Sequence, residues 1–531
     1  MNFVQEESAV VTEQPRRADT LQEAKRRVPI NVLANWLSFI ATFAVTFLIS
    51  PLLVHRLGSL EYGIWTLIGD IVGYSWILGM GVGLAVSRYG AGYFALSDKQ
   101  KFNGLVTTSL LINAASSAIL LAGGVWIAYV FPHLFAVPPH LVFAARVSLV
   151  MIVVGASTSF PGSTFSGCLV SFSRYDWIAI RTTSATVLRA LLLWYFLEHG
   201  YGLVAVACIS MLTNIVSVFI EAGFVKYELP ELKIAPRYFD RSMLKPLIEF
   251  SSYGFLLSVA ARLVYMTDTL VIGFVLGPAA VTYYAIGAKL PLMLRDSLGN
   301  ITNLYFPFAS QMHALGKEDS LRKLFIAGSR IASLYIFPGV AGLVIVGPPF
   351  LEIWMGKSFG PLSGPIVVIL AFEAIFFGAS TSAGYVLFGM GRHNLNAWIS
   401  LANAGVNLIL SVTLIRWMGP MGVAWGTLIP AVITQGIVLP FYTARILNAS
   451  LKDFYLAAFL RPLLAVAPMS ALLLAARYFG QFEDYPRLFL SVFVSCVVYA
   501  ICAWTLVTDS EERAHACRVF TKYSAMLRFA R

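Results

Sequence analysis

Charge is what this sequence has least of. Of its 531 residues, 12% are Asp, Glu, Lys or Arg, where soluble domains carry about 25%. With 58% hydrophobic residues and a mean hydropathy of +0.75, this excludes an ordinary soluble domain. The short alternating segments of a membrane β-barrel are also missing. The equipment of a catalytic centre is equally thin. The five cysteines (Cys168, Cys208, Cys496, Cys502 and Cys517) form no CxxC pair, and four lie in or beside apolar runs, where cysteine behaves as a small hydrophobe. The seven histidines include no HExxH, and no Walker A sequence appears. Neither a metal nor another cofactor is expected. Gly79-Met80-Gly81-Val82-Gly83 has no strand–helix unit after it, so it reads as a site of close helix packing rather than a nucleotide loop.

What the chain has is apolar runs near the ~20 residues that cross a bilayer. The first, from about Ile30 to Val54, is too long for a signal-peptide core and lacks a clear cleavage site. Further runs fall near 64–84, 104–130, 141–168, 177–197, 203–225, 250–275, 281–305, 325–346, 365–387, 396–415, 423–442, 456–478 and 488–507. The expectation is an all-α polytopic membrane protein of about fourteen transmembrane helices, with both termini on one side. The net charge of +11 fits that reading better than nucleic-acid binding. Segments assigned to the inside hold 27 Lys and Arg, and the outer loops hold four. Cytoplasmic loops are the ones enriched in these residues, which puts both termini in the cytoplasm.

The chain also repeats. Leu57-Gly58 and Leu276-Gly277 each close a long apolar run, and Gly200 and Gly419 each open a glycine-rich turn, all at an offset of 219. Six helices fall in each copy, so the copies are parallel repeats, a transporter pattern with the site between halves. The expected organisation is a cytoplasmic N-tail (1–28), an N-lobe of helices 1–6 (29–225), a basic cytoplasmic linker (226–249), a C-lobe of helices 7–12 (250–445), helices 13–14 (446–507) and a basic cytoplasmic C-tail (508–531). The C-tail reads as an inner-leaflet segment drawn to anionic lipid or as a plain solvated tail.

Ionisable residues at bilayer depth are costly and mark pathways by default. Arg189, Arg262, Asp268, Lys289, Arg295, Asp296 and Glu373 lie inside the runs. Arg262, Lys289, Arg295 and Arg189 would form a cationic lumen; the alternative is that Arg189 and Arg262 snorkel to the headgroups or pair with Asp268, Asp296 or Glu373. Asn403 and Asn407 lie one turn apart and share a helix face. With Asp268 they would coordinate Na⁺, or Asp268 would carry a proton; the alternative is a packing pair of asparagines and an aspartate bound to Arg262.

Four marks together carry a resemblance: Leu57-Gly58-x3-Tyr62-Gly63; Gly81-Val82-Gly83-Leu84-Ala85-Val86-Ser87-Arg88-Tyr89; Asp268-Thr269-Leu270-Val271-Ile272-Gly273 leading to Leu276-Gly277; and Asn403-x3-Asn407 before Gly419 and Gly422-Val423-Ala424. Over about residues 30–445 the chain resembles the polysaccharide-type flippases of the multidrug/oligosaccharidyl-lipid/polysaccharide exporter superfamily. The resemblance implies two six-helix lobes in a V, plus two C-terminal helices, and a cavity opening alternately inward and outward. The implied cargo is an undecaprenyl-diphosphate-linked oligosaccharide, carried across a bacterial cytoplasmic membrane for exopolysaccharide or O-antigen synthesis. Partners would be membrane lipids, a polysaccharide polymerase and glycosyltransferases. Arg88, within the second mark, joins the cationic set that would offset the diphosphate's desolvation. Where many relatives have an acid just before the second-span glycine, this chain has Gly79-Met80-Gly81, so no ion or gating role carries over there. Two other classes were weighed: a cation- or proton-coupled drug exporter of the same superfamily, which would prefer an acidic and aromatic cavity, and a membrane polymerase or ligase, which would need a large outer loop with catalytic groups.

Overall fold

The computed structural model describes residues 3–79, 81–247 and 266–508. Within them the regular structure is helical: α1 (Phe3–Gly73, two helices joined across a kink at Gly58), α2 (Val82–Ala95), α3 (Lys99–Leu134), α4 (Val142–Ser171), α5 (Tyr175–Glu198), α6 (Leu203–Glu228), α7 (Thr267–Leu276), α8 (Pro278–Thr302) and α9 (Tyr305–Ala314). There follow α10 (Glu318–Met355), α11 (Phe359–Gly389), α12 (His393–Met418), α13 (Pro420–Ile433), α14 (Leu439–Leu447), α15 (Leu451–Tyr455), α16 (Arg461–Tyr478) and α17 (Tyr485–Leu506). π-Helical turns at Thr434–Val438 and Leu456–Leu460 join α13 to α14 and α15 to α16.

Among the described residues, ten helical runs are long and apolar enough to cross a membrane. The first, Trp36–Ala95, holds the first two expected spans. The other three of the fourteen correspond to α5, to the short α7 and to α8, which fall outside the ten for different reasons. α5 carries Arg181, Thr182, Thr183 and Ser184 in its first half, and α8 carries Lys289, Arg295 and Asp296. The seventh expected span, 250–275, lies partly outside the described residues. So do Arg262 and all but the first residue of the C-tail.

The internal repeat is written into the backbone. Left-handed residues stop helices at Gly58, Ser97, Ala136, Ser173 and Gly200, and again at Gly277, Gly316, Gly356, Gly391 and Gly419. Taken in order, the members of each pair lie 218–220 positions apart. Gly58 (φ 71°, ψ 172°) and Gly277 (φ 84°, ψ 171°) share one conformation, in a region that residues with a Cβ essentially never enter. This explains the Leu-Gly marks: each glycine breaks one helix so the next can start in a new direction. A Cβ at Gly277 would meet nothing within 4 Å, so the cost of Gly277→Ala is backbone strain alone. We expect that variant to lose about 1–3 kcal/mol of stability, read as a lower melting temperature in detergent. An unchanged melting temperature would show that the turn tolerates another conformation.

Long-range contacts divide the chain into two compact units, Met1–Ala279 and Ala280–Arg531. In the first, Phe102, Leu105, Leu169, Phe172 and Val225 form a fully or nearly buried cluster, onto which Leu232, Met243 and Leu247 of the inter-helix connection fold. That connection is tied down by Lys233 N–H donating to Asn103 Oδ1 (3.1 Å) and Asp240 N–H donating to Thr108 Oγ1 (3.1 Å). Two α-helix starts described in this unit are capped by carboxylates. Asp98 accepts from Lys101 N–H at 3.0 Å, a bond that holds its carboxyl below the usual range. Glu61, on α1, accepts from Leu203 N–H at 3.0 Å and so caps α6 from a distance. In the second unit, Val466, Met469 and Leu473 of α16 and Tyr499 of α17 pack against Ile336, Phe337 and Val340 of α10. Tyr499 also donates its hydroxyl to Leu334 O at 2.7 Å. The last two helices therefore brace the second unit.

Candidate functional site

The intramembrane charges divide between the units. In the second, Arg295 on α8 donates through Nη1 to both oxygens of Glu373 on α11, at 3.0 and 2.9 Å. One turn further along α11, the Phe377 ring lies 4.0 Å from the guanidinium carbon. Arg295 is 7% exposed and Glu373 3%, so the pair sits in the core beside Leu298, Ala371 and Ala374. Lys289, also on α8, is half-buried.

Asn403 and Asn407 share a face of α12 as expected, and both are buried. Asn403 Oδ1 accepts from Thr434 Oγ1 at 3.0 Å, and Asn407 Nδ2 donates to Thr427 Oγ1 at 2.9 Å. The two amides thus form rungs of a polar seam between α12 and the helix that follows it.

Asp268 belongs to the first unit. It is buried in the opening turn of α7, and that turn is tied to the end of α1. Thr269 Oγ1 donates to Asp70 Oδ2 at 2.5 Å, and the Tyr74 and Thr267 hydroxyls share a hydrogen bond of 2.5 Å. Asp70 was not among the expected site residues, although an acid inside the second apolar run was the available signal. On α5, Arg189 donates through Nε to Thr213 Oγ1 and through Nη2 to Asn214 Oδ1, both at 3.0 Å. Arg88 is exposed on α2, its guanidinium 5.8 Å from the Tyr89 ring.

Sequence reasoning also passed over a cavity in the first unit, about 560 Å³ in volume, walled by α2, α4, α5 and α6 and by Trp76. Its charged feature is an ion pair between Arg181 Nη2 and Glu221 Oε1 (3.0 Å), with Ser166 donating to the same carboxylate oxygen at 2.7 Å. Gly83, Gly162 and Gly167 line it where neighbouring helices come close. A second space of about 430 Å³ shares Trp76, Gly83, Ser159, Ser163 and Asn214 with the first. Arg181 lies at the start of one apolar run and Glu221 near the end of the next, so no local spacing links them.

The chain is 23% identical to the uncharacterized membrane protein EpsK of Bacillus subtilis over 507 residues, covering 93% of this chain and 98% of that one. It is 22% identical over 261 residues to a protein of Haloferax volcanii named a probable low-salt glycan biosynthesis flippase, Agl15, covering 48% of this chain and 53% of that one. Among solved structures it shares its fold with the lipid II flippase MurJ in an inward closed conformation, at a TM-score of 0.70 and 13% identity, over 89% of this chain and 98% of that one. A multidrug resistance transporter of the MATE family, in an inward-facing conformation, matches at a TM-score of 0.69 and 13% identity, over 77% of this chain and 98% of that one. The polysaccharide biosynthesis protein family matches residues 57–363, more than half of the chain, and this protein belongs to it.

Proposed function

We propose that this protein is a transporter that flips an undecaprenyl-diphosphate-linked oligosaccharide across the bacterial cytoplasmic membrane by alternating access. Membership of the polysaccharide biosynthesis protein family carries the reading, and the flippase names of a relative and of a solved structure of the same fold support it. Both termini would be cytoplasmic, and the six-helix lobes 29–225 and 250–445 would be joined by the basic connection 226–249. Arg262, Lys289, Arg295, Arg189 and Arg88 would meet the diphosphate, and Asp268, Asn403 and Asn407 would serve any coupled cation. A multidrug transporter shares the fold, but a basic intramembrane set suits an anionic cargo. Moving that cargo outward across an inside-negative membrane gains about 2.3 kcal/mol per charge per 100 mV, so the potential alone can bias export. A polymerase and glycosyltransferases would act on either side of the step.

The test uses proteoliposomes loaded with a fluorescent undecaprenyl-diphosphate oligosaccharide and an external quencher. The wild type should expose the probe, and Arg262→Ala/Lys289→Ala should slow exposure by about tenfold or more. A hydrogen bond to a charged group contributes roughly 1.5–3 kcal/mol, and about 1.4 kcal/mol is a factor of ten. No protein-dependent exposure of a competent cargo would sink the flippase reading. Equal rates would remove those two residues from the cargo path.

A further inference from the structure

The cavity in the first unit has a chemistry of its own, set by where its hydroxyl protons go. Ser87 donates to Leu84 O (2.9 Å), Ser163 to Phe160 O (2.7 Å), Ser217 to Thr213 O (2.7 Å) and Ser159 to Gly155 O (3.4 Å). A hydroxyl has one proton and two lone pairs, so Ser87, Ser217 and Ser159, with the proton on their own helix, turn to the cavity as acceptors, while Ser163 Oγ already accepts from Asn113 Nδ2 at 3.3 Å. Ser166 spends its proton on Glu221. Both contacts to Glu221 fall on Oε1, and Oε2 stands beside Gly162 with no hydrogen bond among the described residues. The polar part of the wall therefore favours a ligand that carries O–H donors beside apolar surface.

That requirement selects among ligands. A phosphate at neutral pH mainly accepts hydrogen bonds and would face lone pairs and a carboxylate. A cationic drug would want an uncompensated acid, but Glu221 is paired with Arg181. A sugar offers several hydroxyl donors on a compact ring. Its own oxygens find a donor in the Asn214 amide, whose carbonyl is occupied by Arg189. Trp76 and Tyr175, both lining the cavity and exposed, supply amphipathic aromatic surface for the C–H face of a pyranose. The volume of about 560 Å³ lies within the range of small-molecule sites, about 300–1,000 Å³.

We propose that this cavity is a glycan subsite that holds hydroxyl-rich sugar of the cargo within the first unit, rather than its phosphate or lipid. The proposal rests on the flippase reading for the identity of the cargo. Asn214 ties the subsite to Arg189, one of the cations assigned to the diphosphate, so sugar and diphosphate would be held by neighbouring groups.

The experiment uses the full-length chain in lipid nanodiscs, free of sugar detergents, with its five cysteines replaced by alanine and Ser87→Cys introduced as a reporter. Maleimide labelling is followed with two probes: undecaprenyl diphosphate, and free glycans released by mild acid from the lipid-linked oligosaccharides of the producing cells. The glycans should slow labelling at least fivefold, undecaprenyl diphosphate should not, and Trp76→Ala/Glu221→Gln should abolish the protection. Protection by undecaprenyl diphosphate alone, or by neither probe, overturns the glycan subsite. The same variants are assayed for flipping of the intact lipid-linked pool. Flipping without glycan protection overturns the subsite and spares the transport reading; protection without flipping supports the subsite and overturns the transport reading.

Discussion

Glu373→Ala is expected to cost about 3–5 kcal/mol of stability, the range for removing one member of a buried ion pair. The cost comes from the partner left behind. Arg295 is 7% exposed, so without Glu373 its guanidinium loses the bidentate partner that faces it in a core of Leu298, Ala371 and Ala374, and the Phe377 face does not replace a carboxylate. Replacing both charges with apolar residues of similar volume, Arg295→Met/Glu373→Leu, removes the uncompensated charge and should recover most of the loss. Thermal unfolding of Arg295→Met, Glu373→Leu and the double variant, all in the same detergent, yields the coupling directly. A double variant as unstable as Glu373→Ala would count against the uncompensated charge as the cause. The stable double variant then separates two roles for Arg295. Full flipping by it would make Arg295 a structural residue; a stable protein that no longer flips would place Arg295 in the path of the cargo.

How much of this was legible in the sequence depended on whether the signal was local. The helix stops at Gly58 and Gly277 were readable because a glycine-only backbone conformation forces one residue type at one position, and the 219-residue offset then carried the repeat. Ser97, Ala136 and Ser173 occupy left-handed turns without the residue that would advertise them. Only the second copy, with glycine at 316, 356 and 391, marks those turns. Asn403 and Asn407 were readable as a face because four residues make one helical turn. Their partners Thr427 and Thr434 were not, since they depend on how the next helix packs. The same limit hid the contacts that join Asp70 to Thr269, Arg181 to Glu221, and Glu61 to the start of α6. Each joins residues 40 to 199 positions apart, and such partners are chosen by helix packing. Charge inside an apolar run signals that a partner exists; it does not say which. That is why Arg295 reads from the sequence as a lumen cation, with Glu373 offered as a partner only to Arg189 and Arg262.

The contact between α2 and α4 supports a prediction that tests packing itself. A Cβ on Gly83 would lie 2.7 Å from Ser163 O, and one on Gly167 would lie 2.5 Å from Gly83 O. Each glycine thus admits the other helix's backbone, and backbone cannot rotate aside as a side-chain tip can. Gly167→Val should therefore push α2 off α4 and cost about 1–3 kcal/mol, the usual penalty for overpacking, with a matching fall in melting temperature. Gly83→Ala meets the same interface from the other side. Once one substitution has separated the helices the second has less to displace, so the pair should cost less than the sum of the singles. Gly92→Ala, on the same α2 but with nothing within 4 Å of the new Cβ, is the control. There the gain in helix propensity, about 0.5–1 kcal/mol, is unopposed, and the melting temperature should hold or rise. If Gly92→Ala fell as far as Gly167→Val, the close approach would not be the cause. If Gly167→Val melted with the parent, α2 and α4 would be able to part at no cost, and the wall they build for the cavity would be soft rather than fixed.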